Sequence, residues 1–139
     1  MFDLTGRIAL VTGAGQGVGA GIARSLGAQG AAVAVNDVEP ERAAATVATL
    51  VDAGATAAAV PFDVTDRAAV RGGVAGAQEA LGGPVDILVN NAGVPAGMSM
   101  SPFRTFDPAD WSRYVDLNLY GAGHCIQAVI DGMCERGWG

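Results

Sequence analysis

Four short apolar runs recur along this 139-residue chain, and each leads into a longer stretch with helical spacing. The runs lie at about Arg7 to Thr12, Ala31 to Asn36, Thr56 to Phe62 and Val85 to Val89. Such alternation predicts βαβ units and a parallel sheet, because parallel strands need a crossover long enough to hold a helix. Continuous runs such as Ile8-Ala9-Leu10-Val11 suit strands covered on both faces, and Val85 to Val89 reads as the most clearly buried of the four.

Right-handed crossovers place the first three strands in the order 3-2-1, with the fourth beside the first. The expected fold is therefore α/β, a Rossmann-type doubly wound parallel sheet of about four strands in the order 3-2-1-4 with helices on both faces. The first helix carries Val18, Ile22, Ala23 and Leu26 and ends at Gly27 or Gly30. The second runs from Pro40 to about Asp52, before Gly54. The third is capped by Thr65 or Asp66 and reaches about Leu81, although glycines at 72, 73 and 76 weaken it. A loop from Val94 to Phe106 precedes one long helix capped by Asp107, with Pro108 at its first position, which runs to about Arg136.

Residues 1–139 read as a single domain. They are 50% hydrophobic and 6% aromatic, so alanine and glycine supply much of the packing. A complete doubly wound sheet adds strands beyond the fourth, which makes the domain incomplete at its C-terminal end and suggests a truncated reading frame or a fragment of a longer protein. It also leaves an apolar strand edge unpaired, from which self-association and marginal stability are expected. The net charge of −6 comes from 14 acidic residues and eight basic ones, and all eight are arginine. An acidic, unclustered balance argues against nucleic acid or anionic membranes as partners. The N-terminus lacks a basic segment followed by an apolar stretch, and no run approaches the roughly 18 apolar residues of a membrane helix. Cys125 and Cys134, nine apart on one helix, suit ordinary packing better than metal ligation or a disulfide framework. A cytoplasmic location is expected.

The turn between the first strand and the first helix reads Thr12-Gly13-Ala14-Gly15-Gln16-Gly17-Val18-Gly19. Glycines let a backbone turn sharply and approach a ligand closely, and a helix start offers unpaired N–H groups and a positive dipole end to a pyrophosphate. Tight strand-to-helix turns need glycine in any case, so the turn is weak evidence when taken in isolation. Asp37 strengthens it, because it ends the second strand 20 residues after Gly17, where a carboxylate can accept from a ribose 2′-hydroxyl. That carboxylate would repel a 2′-phosphate, and no arginine stands at position 16 or 38, so NAD is expected over NADP. Asp37 could also cap the following helix.

Together, Thr12-Gly13-x-x-x-Gly17-x-Gly19 and Asn90-Asn91-Ala92-Gly93 resemble the short-chain dehydrogenase/reductase family, at matching chain positions and across all 139 residues. The resemblance implies a dinucleotide held by Gly13, Gly15, Gln16, Gly17, Val18, Gly19, Asp37, Asn90, Ala92 and Gly93. It adds Asp63 towards the adenine amino group and Val64 packing beside the ring, with turn or cap residue as the plain alternative for Asp63. Asn90 ties the central strands together through its side chain, and Asn118 supports a proton-relay water. The family transfers a hydride between nicotinamide and a carbonyl or alcohol, using a serine and a Tyr-x-x-x-Lys pair that lie beyond the last helix here.

With no lysine in the chain, no Tyr-x-x-x-Lys can exist within it. Tyr120 and His124 imitate the spacing on the wrong element, and His124 is expected to pack or hydrogen-bond locally. Met98 and Met100 could line a substrate pocket or fill a loop. The leading expectation is the cofactor-binding part of an NAD-dependent oxidoreductase that is inactive by itself. The alternatives are a non-catalytic NAD-binding module, a degenerate product, or one piece of a split enzyme.

Overall fold

The computed structural model describes residues 3–94 and 102–139, so Met98 and Met100 lie outside the described residues. Strands and helices alternate as β1 (Ile8–Val11), α1 (Gly17–Ala28), β2 (Ala32–Val35), α2 (Pro40–Asp52), β3 (Ala57–Ala59), α3 (Arg67–Leu81) and β4 (Ile87–Val89). Two 3-10 turns follow, at Phe103–Thr105 and Pro108–Asp110. The last helical run joins α4 (Trp111–Val115) to α5 (Ala122–Arg136) through a π-helical segment at Asp116–Gly121. All strand pairs are parallel and the sheet order is β3-β2-β1-β4, the doubly wound arrangement expected from the alternation.

Period-two geometry divides the core between the two faces of the sheet. Ile8, Leu10 and Ala34 face Val70, Val74 and Ala77 of α3 and Cys125, Val129 and Met133 of α5. Ala9, Val11, Val33 and Val35 face Ala23 of α1 and Ala43 and Leu50 of α2. Small residues set the spacing: a Cβ at Gly27, inside α1, would come within 3.0 Å of Ala55 Cβ. Gly27 therefore packs, and the turn that ends α1 is made at Gly30, whose φ is +93°.

At the end of the sheet where β1 begins, buried Asp86 accepts from the Ile8 amide at 3.1 Å. Its Oδ1 also lies 3.7 Å from Arg7 and 3.6 Å from Arg136. Arg136 donates to the Val85 carbonyl at 2.9 Å, and the Arg7 guanidinium lies 3.7 Å over the Trp138 ring. The C-terminal end of α5 is thereby tied to β1 and to the chain entering β4.

Three elements depart from the sequence reading. β3 is shorter than Thr56 to Phe62, since Pro61 has no N–H and the Val60 and Phe62 carbonyls accept from the Asn36 side chain, at 3.1 and 3.0 Å. β4 is only half-buried, whereas β1 is buried throughout, because among the described residues no strand pairs with the outer edge of β4. The last helix is not one continuous α-helix. Asp107 caps only the 3-10 turn, accepting from the Ala109 amide at 2.9 Å, and the run widens at Asp116–Gly121. There Asn118 Nδ2 donates to the Tyr114 carbonyl at 3.0 Å, and a side-chain donor on the i−4 carbonyl competes with the helical ladder.

Candidate dinucleotide site

An open cleft of about 950 Å³ lies at the carboxyl ends of the strands, between the loops that follow β1, β2, β3 and β4. This is where doubly wound sheets hold ligands, since the loops diverge on either side of the point where strand order reverses. One wall is the glycine turn. Gly17 has φ +55° and open space where a Cβ would point, so only glycine fits its backbone and nothing covers it. Gln16 precedes α1 in extended geometry without a side-chain hydrogen bond, leaving the first-turn amides of α1 uncapped beside the cleft.

The other glycines also pack closely against their neighbours. A Cβ on Gly13 would lie 2.9 Å from Ala92 Cα, and one on Gly19 would lie 2.5 Å from Asn91 Nδ2. Gly15 is not part of the cleft lining. Its amide donates to Asp37 Oδ2 at 3.0 Å, and a Cβ there would meet that carboxylate and Arg42 Cβ, both at 2.5 Å.

Asp37 is buried and lines the cleft. Its Oδ1 accepts from the Glu39 amide at 3.1 Å, so it shapes the entry to α2, but the N-cap position itself belongs to Glu39. Two oxygens with about four lone-pair sites leave acceptor capacity after two backbone bonds. Arg42, on the first turn of α2, lines the cleft beside it. That position carries no recognisable motif, and only the turn of the helix reveals it.

The tie between β1 and β4 falls to Asn91, which corrects the expectation for Asn90. Asn91 Nδ2 donates to the Thr12 and Gly13 carbonyls at 2.9 and 3.1 Å, and Thr12 Oγ1 accepts from the Asn91 and Ala92 amides at 3.0 and 3.1 Å. Asn90 is exposed and outside the cleft lining, because successive side chains of an extended segment point to opposite sides. Asn36 is a second residue that motif reading missed. It accepts from the Gly13 amide at 3.4 Å while donating to Val60 and Phe62, joining the loops after β1 and β3.

Ala92, Gly93, Asp63 and Val64 all line the cleft. Asp63 Oδ1 accepts from both the amide and the hydroxyl of Thr65, at 2.8 Å each, and Asp66 caps α3 through the Ala68 and Ala69 amides. Those two amide bonds hold the Asp66 carboxyl below the usual range. Asn118 lies just outside the lining, donating to the Gly93 carbonyl at 2.9 Å. His124 lines the cleft, and its partner is not local: Nδ1 lies 3.0 Å from the Val64 carbonyl, 60 residues away in the chain. Cys125 is buried, and Cys134 is exposed rather than packed. Among the described residues no cluster of His, Cys, Asp and Glu could hold a metal ion.

The sequence profile of the short chain dehydrogenase family matches residues 7–139. The chain belongs to the short-chain dehydrogenase family. Among curated relatives, 5-keto-D-gluconate 5-reductase of Escherichia coli is 36% identical over 98% of this chain and 52% of its own length. Gluconate 5-dehydrogenase of Gluconobacter oxydans is 37% identical over 100% of this chain and 53% of its own. A crystal structure of a gluconate 5-dehydrogenase from Burkholderia cenocepacia, in complex with NADP and tartrate, superposes with a TM-score of 0.83 at 41% identity. It covers 98% of this chain and 52% of that one. The chain thus spans about half the length of these relatives. Short-chain dehydrogenases bind a nicotinamide dinucleotide, and the glycine turn, the uncapped start of α1 and the Asp37 carboxylate are chemically suited to a pyrophosphate and a ribose.

Proposed function

We propose that residues 1–139 form a single dinucleotide-binding domain of a short-chain oxidoreductase, and that NAD is its preferred cofactor. In this reading the uncapped first turn of α1, with Gln16, Gly17 and Val18, holds the pyrophosphate. Gly13, Gly15 and Gly19 let the turn close against its supports, and Asp37 accepts from the adenosine ribose. Asp63 and Val64 take the adenine, Ala92 and Gly93 flank the nicotinamide ribose, and Asn118 holds the Gly93 loop beside the reacting atoms. When bound, the nicotinamide supplies or accepts the hydride. No Tyr-x-x-x-Lys exists in this lysine-free sequence, so in this reading the residues present bind and orient without the family's acid–base pair, and the chain by itself is inactive.

The observation that carries the cofactor choice is Asp37, a buried carboxylate at the cleft beside the glycine turn. A second charge of the same sign, on a 2′-phosphate, would stand against it. The Burkholderia relative was crystallised with NADP; in this chain Arg42, which lines the cleft with Asp37, is the group that would moderate this repulsion. Titrating the protein with NADH and NADPH, read by nicotinamide fluorescence, tests the choice. Asp37→Ala should weaken NADH by about tenfold, the worth of one hydrogen bond to a charged acceptor, and NADPH by less. Absence of binding in a folded sample would overturn the cofactor reading. The names of the gluconate-acting relatives make a polyhydroxylated acid the first substrate class to test in a completed enzyme.

Two observations support a reading in which further chain or a second copy packs here, over a stand-alone module. The outer edge of β4 has no strand partner among the described residues, and Val115, Leu119, Ile126 and Ile130 are exposed along the last helical run. Among the described residues no helix is long and apolar enough to cross a membrane.

A further inference from the structure

His124 is the one histidine of the chain, it lines the cleft, and no step of the proposed chemistry uses it. Its Nδ1 stands 3.0 Å from the Val64 carbonyl. A carbonyl oxygen only accepts, so Nδ1 carries the proton and His124 is the donor. One turn earlier, Gly121 brings the helix against the same residue: a Cβ there would lie 2.8 Å from Val64 Cγ2. Three residues before that, Asn118 donates to the Gly93 carbonyl at 2.9 Å. One helical run thus holds the loop after β3 at one end and the loop after β4 at the other.

The loop after β3 is also held from below, where Asn36 donates to the Val60 and Phe62 carbonyls and the Phe62 ring lies over Gly73 of α3. Asn36 secures the loop as far as Phe62. Val64, two residues further on, lies in the turn that Asp63 closes onto Thr65 and Asp66, and His124 and Gly121 of the helix tie that turn to the last helical run.

We propose that His124 is a positioning residue that fixes the Val64 edge of the cleft, so that the loop is already shaped for an adenine base before a nucleotide arrives. The assignment of adenine to Val64 rests on the proposed function, but the clamp itself does not. A preformed pocket spares the ligand the entropy of ordering its own wall, so loss of the clamp weakens adenine-bearing ligands selectively. Nicotinamide mononucleotide, bound at the Gly93 end, does not depend on it.

Two substitutions separate position from polarity. In His124→Asn the amide nitrogen falls near the place of Nδ1 and can still donate to Val64. In His124→Gln it falls near Nε2, pointing past the carbonyl. Amide hydrogen exchange of Thr65 and Asp66 in the ligand-free protein should accelerate about tenfold in His124→Gln and stay near wild type in His124→Asn. AMP affinity should fall about five- to tenfold in His124→Gln, with nicotinamide mononucleotide within about twofold of wild type. Equal exchange in both variants, or unchanged exchange in His124→Gln, overturns the clamp. If the wild-type protein binds neither AMP nor NADH, the proposed function fails, while the exchange comparison still decides the role of His124.

Discussion

At the scale of single residues, side chains of the same type part company by position. Asn91 ties β1 to β4 whereas Asn90 beside it is exposed, and Cys125 is sealed in the core whereas Cys134 faces solvent. Burial pushes the Cys125 thiol from an ordinary 9.0 up to about 11. Between those values the folded state keeps a proton that the unfolded chain has lost. The contribution of this thiol is therefore intact below about pH 9 and declines as the pH rises towards 11. Melts of the wild type and Cys125→Ala between pH 8 and about 11 should converge as the wild type loses this term. A thiol reagent at neutral pH should modify one cysteine in the native protein, Cys134, and both after unfolding. The asparagine contrast was not legible in the sequence, whereas nine residues along one helix already turn Cys134 about 180° from Cys125. Neighbouring residues look alike in composition, and only the direction of each Cβ separates them.

At the scale of elements, the helices were more legible than the strand ends. Pro40 at the start of α2, Asp66 as the cap of α3 and Leu81 as its end all stand where local chemistry puts them. The glycines of α3 are weak helix formers by propensity, but they have different neighbours. Gly72 and Gly76 have open space where a Cβ would point, whereas a Cβ on Gly73 would enter the Phe62 ring. Gly72→Ala and Gly76→Ala should each stabilise by about 0.5–1 kcal/mol through helix propensity. Gly73→Ala should destabilise by about 1–3 kcal/mol despite the same gain, because Phe62 has to move. Thermal melts of the three variants check this, and the first two rising while the third falls is the expected pattern. The π segment was beyond sequence reading altogether. Within it Asn118, besides its bond to the Tyr114 carbonyl, meets Gly93, which approaches only when β4 pairs with β1.

At the scale of the whole molecule, a four-stranded sheet with one open edge carries the cleft. If the β4 edge and the exposed apolar side chains of the last helical run drive association, sedimentation should show a mass that rises with protein concentration. Leu119→Lys, at a position 64% exposed, should reduce that rise without lowering the melting temperature by more than a few degrees. The order β3-β2-β1-β4, the glycine turn and the place of Asp37 at the end of β2 were all determined by the sequence itself. Each follows from signals contained in one strand-turn-helix unit: apolar periodicity, glycine spacing, and the handedness that every such crossover shares. Which asparagine ties the strands, which helix holds Val64 and which arginine stands by Asp37 were decided only by the tertiary structure. Those contacts join residues that are distant in the chain or lie one helical turn into the next element. Their geometry exists only once the sheet has set four loops side by side.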